Sequence, residues 1–206
     1  MSAKVGRREF VRAGTFAGAA AVAAPLLAQG PAVVTRRRKP IVAASANANK
    51  FKNGGPRTCV EEAFTRLTKG EDVLDAILAG INIVELDPEE ISVGYGGLPN
   101  ADGVVELDAS CMHGPRKRAG AVAALEGVRT ASLVAKAVMD RTDHHLIVGK
   151  DAQAFAKRMG FKVEDDLNTD KSRALWLEWK RRTDPDHWLD PDRRAAAAER
   201  AREQMI

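Results

Sequence analysis

The chain has 206 residues, of which 45% are apolar and 29% charged, enough to bury one sizeable core and within the range of ordinary soluble globular domains. Its formal charge is +4 and its sequence pI about 9.2, but Lys4, Arg7, Arg8 and Arg12 lie in the first 28 residues and Arg36–Lys39 in a short basic run. Without residues 1–28 the charge falls to +1, and no basic stripe interleaved with aromatics remains, which excludes a nucleic-acid surface as the chain's organising feature.

Residues 1–28 read as an export signal, with a basic start, an apolar run from Ala13 to Ala28 and small residues at its end. The pair Arg7-Arg8, followed by Phe10 and a weakly hydrophobic Ala/Gly run, points to the twin-arginine class, and so to a periplasmic or secreted protein. A retained anchor is the alternative, although the run is short of the ~20 apolar residues that a span needs. Residues 29–39 read as a linker and 40–183 as the folded domain.

Within the domain, Pro40–Ala46 reads as a short buried strand entering a loop. Val60–Lys69 carries Ala63, Phe64 and Leu67 at helical spacing, with Gly70 as a stop. Asp72 is placed to cap a second helix whose stripe (Leu74, Ile77, Leu78, Ile81, and Val84 or Leu86) calls for packing against a sheet. From Ile91 to Gly114 the grammar changes to that of a hairpin, with turn signals at Pro99-Asn100 and Asp102-Gly103 and alternating Val105, Leu107 and Ala109.

Arg118–Leu125 is a strand of small residues that permits close approach by a neighbouring layer. Thr130 caps a helix through Met139, "HLIVG" is a further buried strand, and Ala152–Met159 and Ser172–Arg182 are helices, the last with Leu175, Trp176 and Trp179 on one side as core or interface anchors. Residues 184–206 end in an Ala/Arg/Glu-rich helix without an apolar face, which reads as a connector. Strands at the centre with helices on either side in sequence imply a layered α/β domain.

Cys59 and Cys111 lack C-x-x-C spacing. A disulfide between them is open, but buried free thiols are the favoured state. Glu106 and Asp108 share a strand face, where repulsion would raise a pKa and favour a general base; the preferred reading has both satisfied by backbone donors. His144 and His145 face opposite ways on a strand, with His113 and His187 distant in sequence, so no metal site is expected.

Six blocks in order ("DAILAGINIVE", "SVGYGGLPN", "GVVELDASCMHG", "RAGAVAALEGVR", "LVAKAVM" and "HLIVGKDAQAFAKRMGF") resemble the α portion of glycosylasparaginases, which are amino-terminal-nucleophile hydrolases. The resemblance spans about Ile41 to Trp179, and "PIVAASANAN" is similar to that family's opening loop; the His-Gly-Gly start of plant-type asparaginases is absent. It implies an αββα sandwich, here incomplete, made as one precursor that cuts itself before a threonine. That residue's hydroxyl, with its own α-amine as base, would attack the side-chain amide of an asparagine-type substrate.

The family's nucleophile, cleavage site, oxyanion donors and substrate clamp lie in its β portion, and Thr142, Thr169 and Thr183 lack the flanking pattern of the cut. The implied partners are a small asparagine-type substrate, the β portion of the same precursor and, by analogy, further copies in a larger assembly; no cofactor is implied. Ser92 matches a family serine that orients the nucleophile, or is a turn serine satisfying local backbone. Asn49 stands where animal members have a tryptophan on the sugar side of the substrate pocket, or is an Asx-turn residue. A non-catalytic remnant or binding module on the same scaffold is the alternative function.

Overall fold

A computed structural model of the chain describes residues 39–183. The expected signal at 1–28, the linker except Lys39, and the connector at 184–206 lie outside the described residues. Within them the order is a 3-10 helix (Ala46–Asn49), α1 (Cys59–Thr68), α2 (Val73–Glu85), β1 (Glu106–His113), β2 (Arg118–Glu126), α3 (Ala131–Arg141), β3 (Leu146–Val148), α4 (Gly149–Arg158) and α5 (Asp170–Thr183). This is a mixed α/β fold with a small sheet and five α-helices among the described residues.

The paired helices α1 and α2 are fixed at their starts by side chains. Thr58 and Glu61 form a reciprocal capping box: Glu61 N–H donates to Thr58 Oγ1 at 3.3 Å and Thr58 N–H to Glu61 Oε2 at 2.8 Å. Asp72 Oδ1 accepts from the N–H groups of Leu74 and Asp75, as its sequence position implies. Its other oxygen receives His113 Nε2–H at 2.8 Å, while His113 Nδ1 accepts from Arg116 N–H at 3.1 Å. With Nδ1 accepting, the imidazole proton is assigned to Nε2, so the buried His113 ties the end of β1 to the start of α2. That bond from His113, ahead of the helix N–H donors, holds the Asp72 carboxyl below its usual pKa.

The sheet has the order β1-β2-β3, antiparallel between the first two strands and parallel between the last two. Leu107 of β1 and Val122 and Leu125 of β2 point into the main core with Val134 and Val138 of α3, Phe155 of α4 and Leu167. Gly120 sets how closely α3 approaches: a Cβ there would lie 2.4 Å from the Ala135 carbonyl oxygen and 2.5 Å from Met139 N. The opposite face carries Ser110 and Met112 of β1, Ala119, Ala121 and Ala123 of β2, and Leu146 and Val148 of β3, in register across the sheet. Met112, Leu146 and Val148 are all large apolar residues left exposed there.

Several expectations are corrected. Pro40–Ser45 takes no regular secondary structure and joins no sheet, and Ile41 is exposed, because no strand among the described residues lies beside it. "HLIVG" yields only Leu146–Val148, an edge strand whose flanking residues stay exposed because only one sheet edge and one face cover it. The stripe of α2 meets the sheet only at Cys111 of β1 and packs otherwise on helices: Leu74 and Leu78 meet Met139 and Leu133 of α3, and Ile81 and Val84 meet Cys59 and Val60 of α1. Residues 91–105 are turns, Asn100 Oδ1 accepting from the N–H groups of Asp102 and Val104, and the hairpin is closed later by Gly114–Lys117 between β1 and β2. Thr130 stands at the N-cap of α3 without a side-chain bond to the helix.

Because α3 and β2 are in backbone contact at Gly120, Gly120→Ala should lower stability by about 1–3 kcal/mol, the usual range for overpacking. Chemical denaturation measures this, and an unchanged midpoint would contradict the packing.

Candidate active-site cleft

A cleft of about 700 Å³ opens between the segment Ile41–Ser45, helices α1 and α2, the turn Ser92–Gly94, β1 and the start of α3. Five consecutive residues of β1, Glu106–Ser110, line it. Side chains of consecutive strand residues alternate between faces, so all five reach the cleft only because it runs along the strand edge that no strand among the described residues pairs with. The α1 and α2 walls are mainly apolar, with Leu67, Val73, Ile77 and Ile81 among them.

Ser92 lies in the cleft wall and is exposed. Its N–H donates to Glu90 Oε1 at 2.7 Å and its hydroxyl to the same oxygen, while Asn47 Nδ2 donates to Ser92 Oγ at 3.4 Å. Glu90 is buried and therefore sets the hydroxyl's direction. Asp87 supports the same loop: its carboxylate accepts from Asn53 N–H at 2.7 Å and from Glu89 N–H at 3.0 Å. The opening loop and the loop bearing Ser92 are thus joined by polar bonds from Asn47 and Asn53. Asn49 is exposed at the end of the 3-10 helix and, unlike its neighbours Asn47 and Ala48, does not line the cleft.

Glu85 is the buried acid of the cleft, 5% exposed. Ser132 N–H donates to its Oε1 at 2.9 Å; Ser132 Oγ–H (2.6 Å) and Asn82 Nδ2 (2.6 Å) donate to Oε2. Burial pushes the carboxyl pKa up, and the bonds from Ser132 and Asn82 oppose that without cancelling it. The Glu85 backbone carbonyl accepts from Tyr95 N–H at 2.7 Å. Gly94, with φ +63°, lies so close that a Cβ would sit 2.2 Å from this carbonyl oxygen. One residue of α2 therefore positions both the turn after Ser92 and the first turn of α3.

Glu85 and Glu90 were not singled out as candidates. Glu85 was legible: it follows Ile81 by four and Leu78 by seven, which puts a carboxylate on the apolar stripe of α2. Nothing in local spacing marks Glu90, whose burial comes from the loop's return path.

The other candidates have structural partners. Asp108 Oδ1 accepts from Ala124 N–H at 2.8 Å, at a bulge where two residues of β2 oppose one of β1 and Ala124 takes φ +47°. Glu106 accepts from Asn100 Nδ2 at 2.9 Å, a side-chain donor where a backbone one was expected. Thr142, Thr169 and Thr183 bond to nearby backbone or to Ser172, and no described threonine lines the cleft. Cys59 and Cys111 are free thiols, the first buried and the second half-buried. Among the described residues no three His, Cys, Asp or Glu side chains form a group able to hold a metal ion, and no helix is long and apolar enough to cross a membrane.

Comparison with known proteins adds a family model, described as "Asparaginase", that matches residues 26–205. The chain belongs to the asparaginase family, glycosylasparaginase type. It is 39% identical over 176 residues to the N(4)-(Beta-N-acetylglucosaminyl)-L-asparaginase of Elizabethkingia miricola, covering 84% of this chain and 49% of that protein. The mouse (Mus musculus) protein of that name is 36% identical, covering 72% of this chain and 43% of its own length. A "Plant-type L-asparaginase" of Pyrococcus abyssi is 41% identical over 61% of this chain and 40% of itself. The chain thus spans about half the length, or less, of these relatives.

The raised pKa of Glu85 has a signed consequence. The folded state holds this proton more tightly than the unfolded chain, so its contribution to stability is full below the unfolded value, about 4.3, and declines as pH rises through the folded value. Glu85→Gln keeps a neutral group in place. Its stability relative to the native chain should therefore rise with pH above about 4.3, measured by denaturation at several pH values; a difference independent of pH would contradict the shifted acid.

Proposed function

We propose that this chain forms the amino-terminal half of an exported amidohydrolase that cleaves the side-chain amide of asparagine, free or carrying a sugar, to aspartate. The observation that carries this reading is the cleft along the unpaired edge of β1, walled by Ser92 and its buried Glu90, in a chain that spans about half of its asparaginase relatives. An open strand edge with its row of unpaired N–H and C=O groups accepts another strand. The sheet's uncovered face, floored by Ala119, Ala121 and Ala123, suits a second sheet at close distance. Polypeptide following this half would supply both, completing an αββα sandwich and delivering the threonine nucleophile into the cleft after self-cleavage.

In this reading the freed α-amine takes the proton of the threonine hydroxyl as its oxygen adds to the amide carbon. Donors of the second half hold the oxyanion. The amine leaves with a proton, and water then attacks the ester to release aspartate. Ser92, its hydroxyl fixed by Glu90, orients the nucleophile. Asn49 stands where animal members carry an aromatic and lies outside the cleft lining, so this half offers no stacking platform there for a sugar, and plain asparagine or another small β-aspartyl amide is the favoured substrate. Export through the twin-arginine route places the reaction in the periplasm or outside the cell, where copies assemble further.

The test compares the 206-residue chain with the full natural precursor. The chain alone should release no ammonia from asparagine, since losing a nucleophile costs about 10⁶ in a serine protease. The precursor should cut itself and gain activity, and Ser92→Ala in it should lower turnover by up to about tenfold, the value of one hydrogen bond. Hydrolysis by the short chain alone would refute the division of labour. A precursor that stays uncut and inactive would point to a non-catalytic scaffold.

A further inference from the structure

Three polar side chains of the cleft wall stand in a row, Ser45 and Asn47 from the opening loop and Ser92 opposite them. Ser45 Oγ–H donates to Asn47 Oδ1, Asn47 Nδ2 donates to Ser92 Oγ at 3.4 Å, and Ser92 Oγ–H donates to Glu90 Oε1. The polarity of the row follows from its buried end. Ser92 N–H can only donate, and it already gives its proton to Glu90 Oε1 at 2.7 Å. That oxygen is therefore an acceptor, and the proton between it and Ser92 Oγ belongs to the hydroxyl. Ser92 Oγ then meets Asn47 with a lone pair, which the amide nitrogen satisfies and the amide oxygen would repel. The amide is oriented accordingly, with Oδ1 toward Ser45.

We infer that Asn47 is a positioning residue that acts through Ser92. Its amide takes one lone pair of the hydroxyl and leaves the other for a donor in the cleft. A serine whose proton goes to Glu90 and whose first lone pair goes to Asn47 can only accept, so what it holds in the cleft is an N–H or O–H and not an oxyanion. This rests on the amidase reading, in which that group belongs to the nucleophile. The backbone of Asn47 is itself held: its carbonyl accepts from Lys50 N–H at 3.0 Å and Phe51 N–H at 3.2 Å, and Ala48 beside it is buried against Cys59 and Val84. The bond to Ser92 is long, as catalytic hydrogen bonds often are in a site without its substrate. Aspartate at this place would keep an acceptor for Ser45 and lose the donor for Ser92; alanine would lose both.

Asparagine turnover by the full natural precursor after self-cleavage tests this. Asn47→Ala and Asn47→Asp should each lower kcat by about two- to tenfold, the range of one hydrogen bond, and change KM by less than about twofold. In the double variant Asn47→Ala, Ser92→Ala, kcat should be no lower than in Ser92→Ala alone, because a residue that acts through Ser92 then has nothing to act on. Multiplied losses in the double variant, or undiminished turnover in Asn47→Asp, overturn the proposal. NMR of the nitrogen-labelled protein gives a reading that needs no activity. The Asn47 side-chain amide signal should shift in Ser92→Ala, while that of Gln153, which donates to Glu126 O on α4's side of the sheet, stays in place. An unmoved Asn47 signal overturns the proposal whether or not the precursor is active. A moved signal in a precursor that neither cuts itself nor hydrolyses asparagine upholds the positioning of Ser92 and sinks the amidase reading instead.

Discussion

The backbone contact between α3 and β2 at Gly120 governs how the rest of the domain is arranged. With no side chain at that point the helix settles directly on the strand, and Val134, Val138 and Met139 reach past it to neighbours on both sides. Met139 meets Leu74 and Leu78 and so draws α2 against the edge of the sheet. The position of α2 then places Glu85 beside Ser132 and its backbone carbonyl beneath Gly94 and Tyr95. A close approach in the core thus propagates to the geometry of the turn that carries Ser92, and the cleft inherits the rigidity of the helix-sheet contact.

Carboxylates are used throughout as fasteners for backbone N–H groups. Asp72 holds the start of α2, Asp87 holds Asn53 and Glu89, Glu90 holds Ser92, and Asp108 takes the N–H that the β2 bulge removes from the ladder. An acid so engaged has its oxygens committed to donors, which disqualifies it as a base despite its place near a cleft. Glu85 is engaged in the same way, and in it desolvation outweighs the three donors and leaves a raised affinity for a proton. The tie from Arg129 to Glu164, bidentate at 2.8 Å, with the guanidinium 3.6 Å from the centre of the Tyr95 ring, fastens the far side of the same turn.

The helices were legible because each carries its apolar residues at helical spacing, a property held within ten to fourteen residues. Asp72 was legible for the same reason, its partners being two and three residues away. Strand readings depend on neighbours. Pro40–Ser45 has the composition of a buried strand, yet what completes a strand is a second backbone, and none stands beside it among the described residues. The "LIV" of β3 and the alternation of β1 were read correctly as extended, but their exposure is decided by which face α3 and α4 cover. Ser92 was singled out through resemblance; Glu90, which accepts from its N–H and its hydroxyl, required the three-dimensional return of the loop.

The two thiols bear on the proposed export. Cys59 packs between Ala48 and Val84 where α1 crosses α2, and Cys111 lies beside Leu74, Leu78 and Met139, so they belong to different clusters. In both, burial first of all pushes the thiol pKa up, which depletes the thiolate that attacks oxidants and disulfides. A domain that folds before it leaves the reducing cytoplasm therefore carries its cysteines into an oxidising compartment already shielded. Unfolded passage would present the same two thiols to each other and to other chains. The packing of Cys59 and Cys111 thus makes both poor partners for oxidants and disulfides as long as the domain stays folded.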